Sequence, residues 1–224
     1  MKQALVAGGL GALGQGIVKH LLEQPEWSVV ALSRRTPGAA TSTRYISVDL
    51  LDRADCEEKL NDLAGITHIF YAAYQERPTF AEEVAPNLTM LKNVLEVLER
   101  IAPALEHVNL MQGTKAYGTH LGPYKTPARE SEPRHMPPKF YYDQEGYLKA
   151  RSRTKQWSWS ALRPRTVYGY CRVKTNARLQ DGARGACGLP TRSSGTRGPA
   201  SGQRPHQRRT HAGGRRWPSV AARG

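Results

Sequence analysis

Short apolar runs alternate with longer segments in which apolar residues recur every three or four positions, and this rhythm holds from the start of the chain to about residue 162. Ala4-Leu5-Val6-Ala7 reads as a buried strand. Leu13, Ile17 and Leu21, flanked by Val18 and Leu22, mark one face of a helix that ends near Pro25. Further strands are expected over 27–33, 44–48, 66–72, 105–111 and 157–162, the last stopped by Arg163-Pro164. Asp52 is placed to cap a helix running through Cys56, Leu60 and Leu63. A longer helix is expected to open at Pro86, where a missing N–H costs nothing, and to bury Met90, Leu91, Val94, Leu95 and Leu98. The stretch from Tyr141 to Arg151 reads as a further helix. Residues 112–139 form a polar, proline-rich connection, of a length that means either a functional loop or disorder. Strands alternating with helices in this way predict an α/β fold, a doubly wound parallel sheet with right-handed crossovers.

The first strand runs directly into Gly8, Gly11 and Gly14, and the helix starts at once, with Leu13 in its first turn. This is the corner of a Rossmann fold: the glycines let the backbone approach a pyrophosphate, and the helix N-terminus offers free N–H groups and the positive dipole end. In open parallel sheets the ligand lies off the carboxyl ends of the strands, so each strand end is a candidate contact. Strand two ends in Ser33-Arg34-Arg35, not in the acid that would bind the ribose 2′-OH of NAD(H). Two arginines suit a 2′-phosphate, which favours NADP(H) over NAD(H); the plainer alternative is that both are solvated. Strand three ends at Asp49-Leu50, placed for the adenine edge, and strand four at Ala72, small enough to let a cofactor pass. Strand five leads into Gly113-Thr114-Lys115-Ala116-Tyr117. Lys115 could there touch the nicotinamide ribose and lower a tyrosine pKa, although on spacing alone it reads as an ordinary surface lysine. The pair Tyr-x-x-x-Lys on one helix, common in short-chain dehydrogenases, is missing: Tyr141 is followed four places on by Glu145, and Tyr147 by Arg151.

Charge divides the chain in two. Of its 224 residues, 33 are basic and 19 acidic, for a net charge of +14. Residues 171–224 hold twelve of the basic residues and one acid, so they carry +11 and residues 1–170 only +3. The later segment has no Ile, Phe or Met and cannot bury enough apolar surface to offset its ordering entropy. The expected organisation is a dinucleotide-binding domain over 1–170 and an Arg/Gly/Pro-rich tail over 171–224. The tail is read either as a disordered basic extension or as the product of a shifted reading frame in a GC-rich gene. Nucleic acid is expected only through that tail, where Trp217 is the single aromatic and base stacking would be poor. Cys56, Cys171 and Cys187 fit neither a disulfide framework nor a zinc site, and the seven histidines lack ligand spacing, so no metal is expected. Cysteine usage, the absence of a bilayer-length apolar run and a strand at the very N-terminus predict a cytoplasmic protein with no signal peptide and no membrane contact. No pattern indicates the oligomeric state.

Gly8–Gly14, Ser33-Arg34-Arg35, Gly113-Thr114-Lys115-Ala116-Tyr117, Gly122-Pro123-Tyr124, Phe140-Tyr141-Tyr142-Asp143 and Trp159-Ser160-Ala161-Leu162-Arg163-Pro164 occur in that order. Together they resemble the progesterone 5β-reductase/iridoid synthase-like enone reductases. These are atypical short-chain dehydrogenases/reductases, many bacterial relatives of which carry only an NAD-dependent epimerase/dehydratase-like label. The resemblance covers 1–170. It implies an NADPH-dependent oxidoreductase that passes hydride to the β-carbon of an activated alkene in a small-molecule substrate. It implies Tyr141 and Lys115 as the catalytic pair, drawn from separate segments, with Tyr141 stabilising an enolate oxygen. Thr114, Lys115 and Tyr141 would also border the cofactor, and Tyr117, Tyr124 and Tyr142 the substrate. Tyr124 stands where plant members usually carry Phe. The family continues beyond the Arg-Pro strand into further cofactor and substrate segments, which the basic tail replaces here. Two alternatives stay open: an epimerase or dehydratase acting on a nucleotide sugar, and a non-catalytic nucleotide-binding module with a nucleic-acid-binding tail.

Overall fold

In chain order the elements are β1 (Lys2–Ala7), α1 (Ala12–Leu22), β2 (Trp27–Ser33), β3 (Arg44–Ser47), α2 (Arg53–Leu60), β4 (His68–Tyr71), α3 (Phe80–Ile101), β5 (His107–Met111), a 3₁₀ turn (Thr114–Tyr117), α4 (Phe140–Ser152) and β6 (Ser158–Leu162). The structure is a computed structural model and describes residues 1–38 and 41–167. These all belong to the first of two units, Met1–Ala186. The boundary expected at residue 170 and the basic tail lie outside the described residues.

The strands form one sheet in the order β3-β2-β1-β4-β5-β6. Every pairing is parallel, with Ala7 of β1 opposite both Leu32 and Tyr71, and Met111 of β5 opposite Leu162. All six carboxyl ends therefore share one edge, and the strand order reverses between β1 and β4. A ligand crevice opens at such a reversal. This is the doubly wound α/β sheet that the alternating pattern predicts.

The sheet is buried from both sides, which is why β1 is apolar at consecutive positions: Ala4, Leu5, Val6 and Ala7 have no exposed surface. One face packs Leu5, Leu32, Ile69 and Leu110 against Leu60 of α2, Leu91, Leu95 and Leu98 of α3 and Leu148 of α4. On the other face Val18 and Leu21 of α1 meet Ala4, Val6, Val29 and Ala31. Small residues there bring the corner close to the sheet, and a Cβ on Gly9 would come within 2.7 Å of the Ala31 methyl.

One element differs from expectation in a way that matters for the site. α3 begins at Phe80, not at Pro86. Thr79 caps it: its hydroxyl accepts from the Glu82 N–H at 3.3 Å and donates to the Glu82 carboxylate at 2.9 Å. Pro86 thus sits inside the helix, where its missing N–H leaves the Glu82 carbonyl without a helical donor. The apolar stripe from Met90 to Leu98 outweighs that loss. The earlier start places Phe80 and Glu83 at the carboxyl edge of the sheet. Elsewhere the expected strands and helices appear with ends shifted by a few residues: β1 and α4 run longer than expected, and β4 starts at His68 because Ile66 still belongs to the turn, its N–H bonded to the Leu63 carbonyl.

Candidate active site at the carboxyl edge

The corner after β1 is shaped by what glycine lacks. Gly8 adopts φ +82°, and a Cβ there would sit 2.8 Å from the Ala72 carbonyl oxygen at the end of β4. A Cβ on Gly14 would lie 2.1 Å from the Gly8 carbonyl oxygen. Gly11 is the N-cap of α1 and supplies no side-chain cap, and the first turn holds no acid. The first-turn N–H groups are therefore left for a ligand, with the helix dipole adding positive potential. This cradle fits a pyrophosphate. Leu13 lies half-buried in that turn.

Around the cradle the expected contacts fall on the same edge. The Ser33 hydroxyl accepts from the Arg35 N–H at 3.2 Å, and Ser47 donates to the Arg34 carbonyl at 3.3 Å, which fixes the loop that carries both guanidinium groups. Arg34 and Arg35 are exposed, and among the described residues neither forms an ion pair. The Asp49 carboxylate accepts from the Leu51 N–H at 3.0 Å. Leu50 puts its side chain in the core, and its carbonyl accepts from Asn93 at 2.9 Å, so any cofactor contact it makes is through the remaining backbone. Ala72 donates its N–H to the Ala7 carbonyl and lies against the Gly8 backbone.

Beyond Ala72 the edge continues into an aromatic and charged cluster. Tyr74 stacks on Phe140 at 5.6 Å and donates a hydrogen bond to Glu83, a carboxylate only 3 % exposed. Phe140 meets Tyr141 edge-on at 4.6 Å. The Tyr141 hydroxyl faces the backbone after β5, where a Cβ on Gly113 would lie 3.3 Å from it, and it makes no hydrogen bond among the described residues. Burial, helped by the nearby Glu83 charge, pushes its pKa up to about 12. Lys115, on the 3₁₀ turn, is exposed and sets its Nζ over the Phe80 ring at 5.1 Å. Thr114 beside it shares a 3.5 Å contact with Thr119. Tyr141 and Lys115 thus reach one cluster from separate segments, with Phe80 between the two lysines of the group.

The second of those lysines is Lys139, which sequence reasoning did not single out. Its Nζ lies over Tyr141 at 4.5 Å and over Phe80 at 4.7 Å. Glu83, Phe80 and Tyr74 were equally unmarked. The Thr79-x-x-Glu82 spacing, a capping-box signal, would have brought Phe80 and Glu83 into view. Lys139 is signalled only by standing next to the aromatic run Phe140-Tyr141-Tyr142.

The remaining tyrosines are engaged elsewhere. The Tyr142 hydroxyl donates to the Ala116 carbonyl at 2.8 Å and accepts from the His135 N–H at 3.1 Å, tying α4 to the 3₁₀ turn and the long connection. The Tyr117 hydroxyl accepts from Arg163 at 3.1 Å. Both line a cavity of about 430 Å³ with Arg134, Glu145 and Arg163, a cavity that Tyr141 and Lys115 do not line. Tyr124 sits half-buried on the connection, with no hydrogen bond or ring contact among the described residues. Arg163 donates to Glu145 at 2.6 Å and to the Gln112 side chain at 3.3 Å, and Gln112 donates to the Tyr141 carbonyl at 3.1 Å. These bonds hold the start of α4 against the ends of β5 and β6. Among the described residues no three His, Cys, Asp or Glu gather as a metal site, and no helix is long and apolar enough to cross a membrane.

Such a corner at such a reversal of strand order defines a class, the Rossmann-fold domains. Within it the chain belongs to the PRISE-like Rossmann-fold domain family, whose family model matches residues 39–180. A short chain dehydrogenase of Penicillium aethiopicum is 31% identical over 179 residues, 75% of this chain and 48% of the relative. An (S)-8-oxocitronellyl enol synthase of Nepeta racemosa is 35% identical over 180 residues, and a 3-oxo-Delta(4,5)-steroid 5-beta-reductase of Arabidopsis thaliana 33% over 186, each covering 75% of this chain and 46% of the relative. The chain spans about half the length of these curated relatives. Among solved structures, UDP-glucose 4-epimerase from Thermotoga maritima superposes with a TM-score of 0.64 at 21% identity, covering 76% of this chain and 58% of the other. The Bifidobacterium longum enzyme gives 0.61 at 20%, covering 72% and 52%. These two likenesses establish the fold.

Proposed function

We propose that the chain is the cofactor-binding half of an NADPH-dependent reductase that reduces an activated C=C bond, or a carbonyl, of a small molecule. The observation that supports this most is the unengaged hydroxyl of Tyr141 beside Gly113, on the edge that also carries the glycine cradle. The enol synthase and steroid 5-beta-reductase among its relatives support the reaction class. In this reading the backbone at Gly8, Gly11, Leu13 and Gly14 holds the pyrophosphate, and Ser33, Arg34 and Arg35 receive the 2′-phosphate. Asp49 and Leu50 border the adenine, and Ala72, Thr114 and Lys115 border the nicotinamide side.

When bound, NADPH supplies the hydride. The Tyr141 hydroxyl donates a hydrogen bond to the substrate carbonyl oxygen, which gains negative charge as the β-carbon is reduced. With its pKa held near 12, Tyr141 remains a protonated donor throughout the neutral range. The Lys115 ammonium, over Phe80, supports that charge. Epimerase chemistry of the usual kind has less support: the residue four places after Tyr141 is Glu145, buried and paired with Arg163 and Arg134. NADPH and NADH titrations followed by nicotinamide fluorescence test the reading. NADPH is expected to bind at least about tenfold tighter, a difference of about 1.4 kcal/mol, and Arg34→Glu to remove the preference. Equal affinities in the unmutated chain would contradict it.

A further inference from the structure

Lys139 is the N-cap of α4, so its charge sits at the end of a helix where the dipole already places positive potential. The residue is 3 % exposed. Its ammonium rests over Tyr141 at 4.5 Å, Phe80 at 4.7 Å and Phe140 at 5.4 Å, and among the described residues it has no hydrogen-bond acceptor. Lysines with so little exposed surface are ordinarily paired. The charged and titratable groups that face it come from four segments. Lys115 shares the Phe80 ring. Glu83, on α3, is held by the Tyr74 hydroxyl. His120 meets Phe80 edge-on at 5.0 Å with its Nδ1 buried and unpartnered, and burial and the two lysines hold that ring toward its neutral form. Tyr141 lies on α4 itself. Two ammonium groups thus face a single carboxylate, and the cluster has an unmatched positive charge.

We infer that Lys139 is a second direct donor at this site, acting beside Tyr141 on one substrate oxygen, so that the site takes flat organic carbonyl compounds whose oxygen turns enolate-like on reduction and holds phenolates as mimics of that state. This rests on the proposed reductase reading and extends it to a residue and a ligand chemistry. The geometry allows it. The ammonium lies over the ring that carries the first donor, 4.5 Å from its centre, and one acceptor oxygen can bridge two donors set this close together. The Tyr74 and Phe80 rings keep exposed surface and give the site flat apolar walls, with Phe140 packed behind Tyr74. The cost of keeping this cation in place is visible in its acidity: burial, aided by Lys115 and opposed by Glu83, lowers its pKa to about 8. An anionic oxygen would relieve that cost by restoring a partner.

The test is a titration of the full chain with 4-nitrophenolate, followed by its visible absorbance at pH values where the probe is ionised, with 4-nitroanisole as the uncharged isostere. The phenolate is expected to bind at least about tenfold tighter than the ether. Lys139→Met should remove that margin, Lys139→Arg should keep most of it, and neither should alter nitroanisole affinity. In the unmutated chain, phenolate affinity should fall as pH rises through about 8, and Lys115→Met should move that midpoint upward by removing a neighbouring charge. An unchanged phenolate affinity in Lys139→Met, a pH-independent affinity across that window, or no preference over nitroanisole would overturn the inference. The pH series needs no variant, so it decides the matter even if Lys139→Met does not fold. NADPH binding, read separately by nicotinamide fluorescence, reports on the reductase reading alone.

Discussion

A methyl group on Gly14 would have to occupy space 2.1 Å from the Gly8 carbonyl oxygen, and that oxygen belongs to a backbone already fixed at φ +82°. Neither neighbour can yield without moving β1 away from Ala72. Gly14→Ala is therefore expected to cost about 1–3 kcal/mol of stability and to weaken nicotinamide dinucleotide binding by an order of magnitude or more, measured by thermal melting and by calorimetry. Lys139 obeys a different rule. Because its folded-state pKa lies near 8, below the ordinary 10.5, the unfolded chain holds that proton more tightly. The group's penalty is full below pH 8 and fades as pH rises toward 10.5, so its contribution to stability rises with pH across that window. Lys139→Met should raise folding stability at pH 7, with the gain shrinking to nothing by the upper end of the window. A melting-temperature difference that stays constant with pH would contradict this. The glycine corner is legible in the sequence because its constraint is local, three glycines within one turn of chain. Lys139 is not, because its burial comes from Phe80, which another helix delivers from far along the chain.

At the level of the element, α3 shows how two local signals compete. Pro86 suits a first helical turn and invites a helix start there, yet Thr79 and Glu82 form the cap that in fact opens the helix. The cap wins because it satisfies a free N–H, while the proline's loss of one bond is tolerated under a long buried stripe. Thr79→Ala should accordingly destabilise the chain by about 1 kcal/mol. Pro86→Ala should stabilise it, by up to about 3 kcal/mol, by restoring a donor to the Glu82 carbonyl. Denaturant unfolding of the two variants checks both signs, and a stabilising Thr79→Ala would show that the cap does not open α3. The same competition explains the tyrosines of the long connection. The resemblance implies Tyr117, Tyr124 and Tyr142 beside the substrate, and that remains a proposal; a sequence does not show which hydroxyls the fold commits. Tyr142 spans from α4 to Ala116 and His135, and Tyr117 is bound by Arg163. Tyr141 is left as the member of the pair with an unengaged hydroxyl.

Across the whole molecule, the alternation of apolar runs and helical stripes carries the fold, since the central strands are buried on both faces and read as short continuous apolar runs. The division at residue 170 is of another kind. It rests on composition, and we keep the basic segment 171–224 as a proposal: an extension of a different character from the domain, or the product of a shifted reading frame. The coding DNA around codon 170 separates these, because an alternative frame that reads as an apolar, helix-patterned continuation favours the shift. That the chain spans about half of its curated relatives also sets what can be asked of it. Its own residues supply a cradle for a dinucleotide and a tyrosine–lysine cluster, and those can be tested by binding.

The most direct measurement is calorimetric titration of NADPH into the chain and into its Gly14→Ala variant. The account predicts a saturable heat of one coenzyme per chain, at an affinity that the substitution lowers tenfold or more. A heat that survives Gly14→Ala unchanged, or no heat from the folded unmutated chain, would contradict the claim that the bare corner after β1 holds the coenzyme's phosphates.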